Sequence, residues 1–103
     1  MNAKHARYLF DTDSKPSVFR AELCTFPFNN PAYRTVNLYP RKSRQGFVYC
    51  IWKHGVSEIG LDAIVDGGVA RAKSFDRAAL EATAALMRHH RQLCTTEKPE
   101  PAA

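Results

Sequence analysis

The chain has 103 residues, enough for one domain with one hydrophobic core. Hydrophobic residues make up 45% of it and aromatic residues 11%, which excludes a disordered chain. The formal net charge of +5 favours an acidic partner, such as nucleic acid, an anionic membrane surface or an acidic protein.

The chain begins with a polar stretch, Met1 to Arg7, that lacks the apolar core of a signal peptide. No apolar run approaches the roughly 20 residues that a membrane-spanning helix needs. The three cysteines are widely spaced and odd in number. Together these features predict a reduced, cytoplasmic protein with no membrane partner.

The first half of the chain predicts strands. Tyr8 to Phe10 is expected to form a short edge strand or to pack locally, ahead of a polar turn. Val18 to Phe26 and Tyr33 to Tyr39 alternate apolar and polar residues, which predicts two half-buried strands. A basic turn from Arg41 to Gly46 follows. Phe47 to Lys53 is apolar on both faces, which predicts a central strand.

The second half predicts one further hairpin and a helix. Glu58 to Val65 alternates as a strand does, although a short helix remains the alternative. Asp66-Gly67-Gly68 predicts a hairpin turn, and Val69 to Lys73 a last strand. Ser74 to Cys94 predicts an α-helix, because its apolar residues recur every three, four or seven positions. The predicted buried stripe is Phe75, Ala79, Ala82, Leu86 and Leu93, widened by Leu80, Thr83 and Met87.

These elements predict a single α+β domain over residues 1–94. Its architecture is an antiparallel meander sheet of four to five strands, with one C-terminal helix packed on one face. Residues 95–103 are polar and proline-rich, which predicts a flexible C-terminal tail.

The interval between Glu22 and Glu58 contains no acidic residue. Basic side chains bind phosphates by charge, and aromatic side chains on an open sheet face can stack on bases. The interval therefore predicts a small non-enzymatic module that contacts nucleic acid through a basic aromatic sheet face and the basic turn. The predicted contact residues are Arg34, Arg41, Lys42, Arg44, Lys53, Tyr39, Tyr49 and Trp52. Stacking requires an outward face, and alternation allows this for at most one of Tyr49 and Trp52. A solvated basic turn beside ordinary core aromatics is the alternative interpretation.

Two short stretches resemble parts of RNA-binding families. Arg44-Gln45-Gly46-Phe47-Val48-Tyr49 resembles the aromatic motif of RNA-recognition-motif domains in its basic residue, its glycine and Phe47-Val48. Three strands followed by Ala72-Lys73-Ser74 and an alanine-rich helix are similar to the C-terminal half of a double-stranded-RNA-binding domain. That family places a lysine pair where this chain has Phe75 and Asp76. The sequence is therefore assigned to neither family.

The alternative function is a protein-interaction module or inhibitor that uses the same surface against an acidic or nucleic-acid-handling protein. A short compact domain without catalytic signatures is similar in style to accessory proteins of bacterial mobile elements. Homodimerisation through a strand edge or an open sheet face is compatible with either function.

Candidate metal and catalytic residues give weaker patterns. His90 and Cys94 share a helix face and could hold two positions of a zinc site, which Cys24, Cys50 or His54 would have to complete. Glu58, Asp62 and Asp66 share a strand face, where carboxylates can do acid–base work or hold Mg²⁺. The interpretation favoured for both is a structural or solvated role. Nucleotide-binding and hydrolase motifs are missing as well. The sequence therefore predicts no enzyme, no cofactor and no metal.

Overall fold

The computed structural model describes residues 3–25, 32–53 and 60–96 of the chain. In chain order the elements are α1 (Ala3–Thr12), β1 (Phe19–Thr25), β2 (Ala32–Pro40), β3 (Phe47–Lys53), a 3-10 turn (Leu61–Ala63), β4 (Ile64–Val69) and α2 (Phe75–Thr96). The four strands form one antiparallel sheet in the order β1-β2-β3-β4. The predicted α+β meander with a C-terminal helix on one face is confirmed. The structure adds a second helix, α1.

One face of the sheet packs against α2. The register places Val36 opposite Ile51 and Leu38 opposite Tyr49, so these side chains share a face. Their cluster with the helix consists of Val36, Leu38, Ile51, Ala70, Ala78, Ala79, Ala82, Ala85 and Leu86. Small alanine side chains let α2 approach the sheet closely. This face contains the larger of the two cores.

The other face packs against α1. Its buried cluster consists of Ala6, Leu9, Tyr39, Val48, Cys50, Trp52, Ala63 and Ile64, with Phe10 partly buried against it. Ile51 and Trp52 are adjacent in β3, point to opposite faces and are both fully buried. The prediction that this strand is central is confirmed. Because it is apolar on both sides, a helix must pack on each face of the sheet.

The predicted edge strand at Tyr8 to Phe10 is wrong, because these residues belong to α1. Ala6, Leu9 and Phe10 recur at steps of three and four, which places them on one helix face toward the sheet. Tyr8 lies on the other side, with 64% of its surface exposed. The helix ends where the backbone N–H of Asp13 donates to the carbonyl of Leu9, at 2.8 Å.

The predicted hairpin turn at Asp66-Gly67-Gly68 is also wrong, because β4 runs straight through it from Ile64 to Val69. Only Val69 of the predicted last strand, Val69 to Lys73, is in β4. Of the segment from Glu58 to Val65, residues 61–63 form the 3-10 turn and residues 64–65 begin β4, while residues 58–59 lie outside the described ranges.

Glycine at position 67 serves close packing. It has φ +155°, and a Cβ there would lie 2.8 Å from the Cβ of Ala6 and would overlap the carbonyl oxygen of Tyr49. Gly67 therefore lets α1 lie directly on β4.

The helix predicted from Ser74 to Cys94 is confirmed as α2, which runs two residues further, to Thr96. Its buried stripe is displaced from the predicted one. Ala78 and Ala85 are buried, whereas Phe75, Leu80 and Met87 are 43%, 71% and 51% exposed. The alanine side of the helix faces the sheet, because a helix can approach a sheet more closely on a face of small side chains. Residues 97–103, the rest of the predicted tail, lie outside the described ranges, as do residues 26–31.

Replacing Gly67 with alanine should lower the free energy of unfolding by about 2–4 kcal/mol, because it adds both an unfavourable φ and an overlap. Gly68→Ala is the matched control, since the nearest atom to its Cβ is the Tyr49 hydroxyl oxygen at 3.9 Å. Urea denaturation, monitored by circular dichroism, measures the free energy of unfolding of both variants. Equal losses in the two variants would contradict the close approach of α1 to β4.

Candidate nucleic-acid interface

The basic turn between β2 and β3 is held by one carboxylate, that of Asp13. Oδ1 accepts from the backbone N–H groups of Lys42 and Ser43 at 2.9 and 3.0 Å, and from the Ser43 hydroxyl at 2.9 Å. Oδ2 accepts from Nε and Nη2 of Arg41 at 2.7 and 2.6 Å. The turn thus has a defined conformation rather than that of a loose solvated loop.

These donors set the charge state of Asp13. The backbone N–H of Ser43, with the side chains of Arg41 and Ser43, outweighs partial burial and holds the pKa of Asp13 well below its usual value of 3.8. The carboxylate is therefore ionised throughout the physiological range. It compensates the charge of Arg41, whose side chain is only 14% exposed.

Four exposed cations surround this turn. Lys42 and Arg44 belong to the turn itself. Lys15 is tied to the same end of the sheet, because its backbone N–H donates to the carbonyl of Pro40 at 2.8 Å. Lys73 arrives from the segment between β4 and α2, and its Nζ lies 3.6 Å from the point that a Cβ would occupy at Gly46. We call Lys15, Lys42, Arg44 and Lys73 the basic end.

An exposed aromatic ring lies at the same end of the sheet. Phe75 begins α2 and is 43% exposed. Its ring makes edge-to-face contacts with Phe19 and Phe47, with centroid distances of 6.4 and 6.3 Å. These contacts hold the ring in place beside the cations. The sequence pattern had placed Phe75 in the helix core.

Segment 70–74, which carries Lys73, is also fixed. The carboxylate of Glu81 accepts from the backbone N–H groups of Arg71 and Ala72 at 2.7 and 3.1 Å. Two of the three segments that bring cations to the basic end, the β2–β3 turn and residues 70–74, are therefore anchored by a carboxylate.

Two of the predicted stacking residues lie in the core. Trp52 is fully buried, and Tyr39 is 4% exposed. The indole Nε1 of Trp52 donates to the Tyr39 hydroxyl at 2.9 Å, and Phe10 contacts both rings edge to face. Burial raises the pKa of Tyr39. Neither side chain is exposed, so neither can stack on a base.

The other predicted contact residues divide between two places. Arg34 and Lys53 are cross-strand neighbours at the end of the sheet opposite the basic turn. There Nε of Arg34 donates to Nε2 of His89 at 3.2 Å. Tyr49 is half-buried against α2, and burial raises its pKa. Of the predicted set, only Arg41, Lys42 and Arg44 lie at the basic turn.

The structure adds Asp13, Lys15, Lys73 and Phe75 to this surface. The order of the strands could have predicted their position. In an antiparallel meander, the segments before β1, between β2 and β3, and after β4 lie at the same end of the sheet. Among the described residues, no group of three or more His, Cys, Asp or Glu could hold a metal ion. No helix within the described ranges is long and apolar enough to cross a membrane.

Replacing Asp13 with asparagine should lower stability at pH 7, because Arg41 loses its counter-ion and the Oδ2 acceptor that it contacts is replaced by an amide NH2 group, which is a donor. A carboxyl with a lowered folded-state pKa stabilises the fold above its unfolded pKa, and this contribution is lost as pH falls through the folded value. The difference in unfolding free energy between parent and variant should therefore be constant above about pH 5 and narrow below about pH 4, near the usual pKa of 3.8.

Asp11→Asn is the control, because Asp11 is exposed at the end of α1. It should lower stability at pH 7 much less than Asp13→Asn does. Chemical denaturation at a series of pH values measures both variants. A parent-to-variant difference for Asp13→Asn that does not change with pH would contradict the proposed role of the ionised carboxylate.

Neither the protein-family models, nor the curated proteins, nor the solved structures that we compared with the chain gave a match. The interpretation of the basic end therefore depends on its own geometry and charge.

Proposed function

We propose that the protein is a non-enzymatic module that binds nucleic acid through the basic end. The observation that supports this most directly is the arrangement of Lys15, Lys42, Arg44 and Lys73, four exposed cations around a turn whose backbone Asp13 holds in place. Phosphates of a nucleic-acid backbone are the ligands that such a cluster attracts, by charge and by counterion release.

The role of Arg41 differs from that of its neighbours. Its guanidinium is bound to Asp13 and mostly buried. We therefore assign Arg41 to positioning the turn, and phosphate contact to Lys42 and Arg44. A turn that is already ordered loses less conformational entropy on binding than a flexible one.

Phe75 gives the surface a candidate stacking group. Its ring is exposed beside the cations, and aromatic side chains stack on unpaired bases with little preference for sequence. A cationic surface with one accessible ring suits a single strand better than a duplex, whose bases are already stacked. The preferred ligand in this proposal is therefore single-stranded.

An acidic protein is the second candidate partner. It is favoured by one observation, that Trp52 and Tyr39 lie in the core and leave no broad aromatic face for bases. The same four cations would attract carboxylates. Homodimerisation is compatible with either partner.

Fluorescence anisotropy with 20-nucleotide single-stranded and duplex DNA and RNA tests the proposal, at 50 and 150 mM salt. We expect micromolar or tighter binding to single strands that persists at 150 mM salt. Lys42→Ala/Arg44→Ala should weaken binding at least tenfold and reduce the log–log salt slope by about 1.4, for two single-strand phosphate contacts. Phe75→Ala should weaken single-strand binding more than duplex binding.

The control variant Lys4→Ala/Arg88→Ala removes the same two charges from exposed helix positions away from the basic end. It should retain most of the affinity. Equal losses in the two double variants would mean that net charge, not this surface, determines binding. Binding only at 50 mM salt would exclude the proposal and favour the acidic protein.

A further inference from the structure

The two edges of the sheet differ. β4 is the strand at one edge. α1 lies on it at Gly67, and its register with β3 is irregular opposite Ile51 and Trp52. β1, the other terminal strand, pairs regularly with β2 over seven residues. No strand within residues 3–25, 32–53 and 60–96 lies along its outer edge. Such an edge offers unpaired backbone groups to another strand.

An apolar groove runs beside this edge. It lies between β1 and the second half of α2, has a volume of about 480 Å³ and is lined mainly by apolar atoms. Ala21 and Leu23 form its strand side, and Leu86 and Met87 its helix side. The groove has room for apolar side chains from a neighbour at β1, and Glu22, His90 and Arg91 also line it.

Exposed apolar residues also lie along α2. Leu80 and Met87 are 71% and 51% exposed, and Ala84 between them is exposed too. Residues at steps of four and three lie along one helix face. Met87 borders the groove, while Leu80 and Ala84 lie on the side of α2 turned away from the buried Ala82 and from the sheet.

The charges of β1 match a second copy of the same strand. Arg20 and Glu22 are on the sheet face opposite α2, 3.4 Å apart, with side chains that are 53% and 55% exposed. If two β1 strands pair antiparallel about a two-fold axis at Ala21, Arg20 of each copy lies directly opposite Glu22 of the other. Ala21 then meets its own copy, and Phe19 lies opposite Leu23 of the second copy.

We propose that a second copy of this chain occupies the β1 edge, in this register. The two sheets join into one of eight strands, and the groove of each copy becomes part of the interface. A dimer of this kind uses one surface patch twice, as a two-fold interface must. The proposal does not depend on nucleic-acid binding, because none of the four cations of the basic end takes part.

Sedimentation velocity of the full chain from 5 to 200 μM tests the dimer, with the 11.6 kDa monomer as reference. The parent should approach twice the monomer mass as concentration rises. Arg20→Glu and Glu22→Arg should each place like charges opposite one another and weaken the dimer roughly ten- to hundredfold. The double exchange Arg20→Glu/Glu22→Arg should restore it.

Mixing the two single variants gives the sharpest result. A copy with glutamate at positions 20 and 22 then faces a copy with arginine at both, so the mixture should dimerise more tightly than either variant alone. Lys4→Glu, at an exposed position of α1, is the control and should leave the dimer unchanged. Thermal melts confirm that the exposed substitutions leave the fold intact.

Several results would overturn the proposal. One is a parent that stays monomeric at 200 μM, which would mean that the charges of β1 keep a solvated edge unpaired. Others are a dimer that neither single variant weakens, or a mixture of the singles that fails to associate. All of these are independent of the anisotropy result, so failure of the dimer and failure of nucleic-acid binding are separate outcomes.

Discussion

The structure depends on the burial of β3 from both sides. Ile51 and Trp52 are neighbours in the chain, point to opposite faces and have no exposed surface. Neither face can therefore be left to solvent, and each has a helix. α1 is only ten residues long, too short to be stable alone in water, so it depends on this packing as much as β3 depends on it. The contact of Ala6 with Gly67 is the point at which the two meet most closely.

Burial of Trp52 decides what the chain can present to a partner. A buried indole N–H without an acceptor would be costly, and the hydroxyl of Tyr39 supplies that acceptor at 2.9 Å. Trp52 and Tyr39 therefore contact each other and Phe10 in the core, and their rings are not accessible to a partner. Among the predicted contact residues, the exposed cations of the turn are what remains for a partner at the basic end. The cations of the turn and the rings of Tyr39 and Trp52, which are close along the sequence, are separated in three dimensions, because the two rings are buried under α1.

Local patterns predicted β1, β2, β3 and α2, because alternation and helical periodicity are properties of short segments. They failed for α1, since an apolar run as short as Tyr8 to Phe10 suits a strand as well as a helix. The residues that decide that choice lie far away, with Gly67 about sixty positions along the chain. Asp13, at the candidate site, could not be predicted for the same reason. In the sequence it is one residue of a polar turn, and its hydrogen-bond partners begin 28 positions later. Lys42 and Arg44 could be predicted, because an exposed basic turn needs no distant partner.

The basic end and the β1 edge have a fixed geometric relation. The basic end lies at the start of β1, and the proposed two-fold axis passes through Ala21 in the middle of that strand. Antiparallel pairing would direct the two basic ends toward opposite ends of the eight-stranded sheet. A short oligonucleotide would then contact one basic end only, and dimerisation would leave its affinity unchanged. A long strand, or two separate strands, could engage both ends and gain from the higher effective concentration. Dependence of affinity on ligand length, at protein concentrations above and below the dimer dissociation constant, therefore links the two proposals without making either a condition for the other.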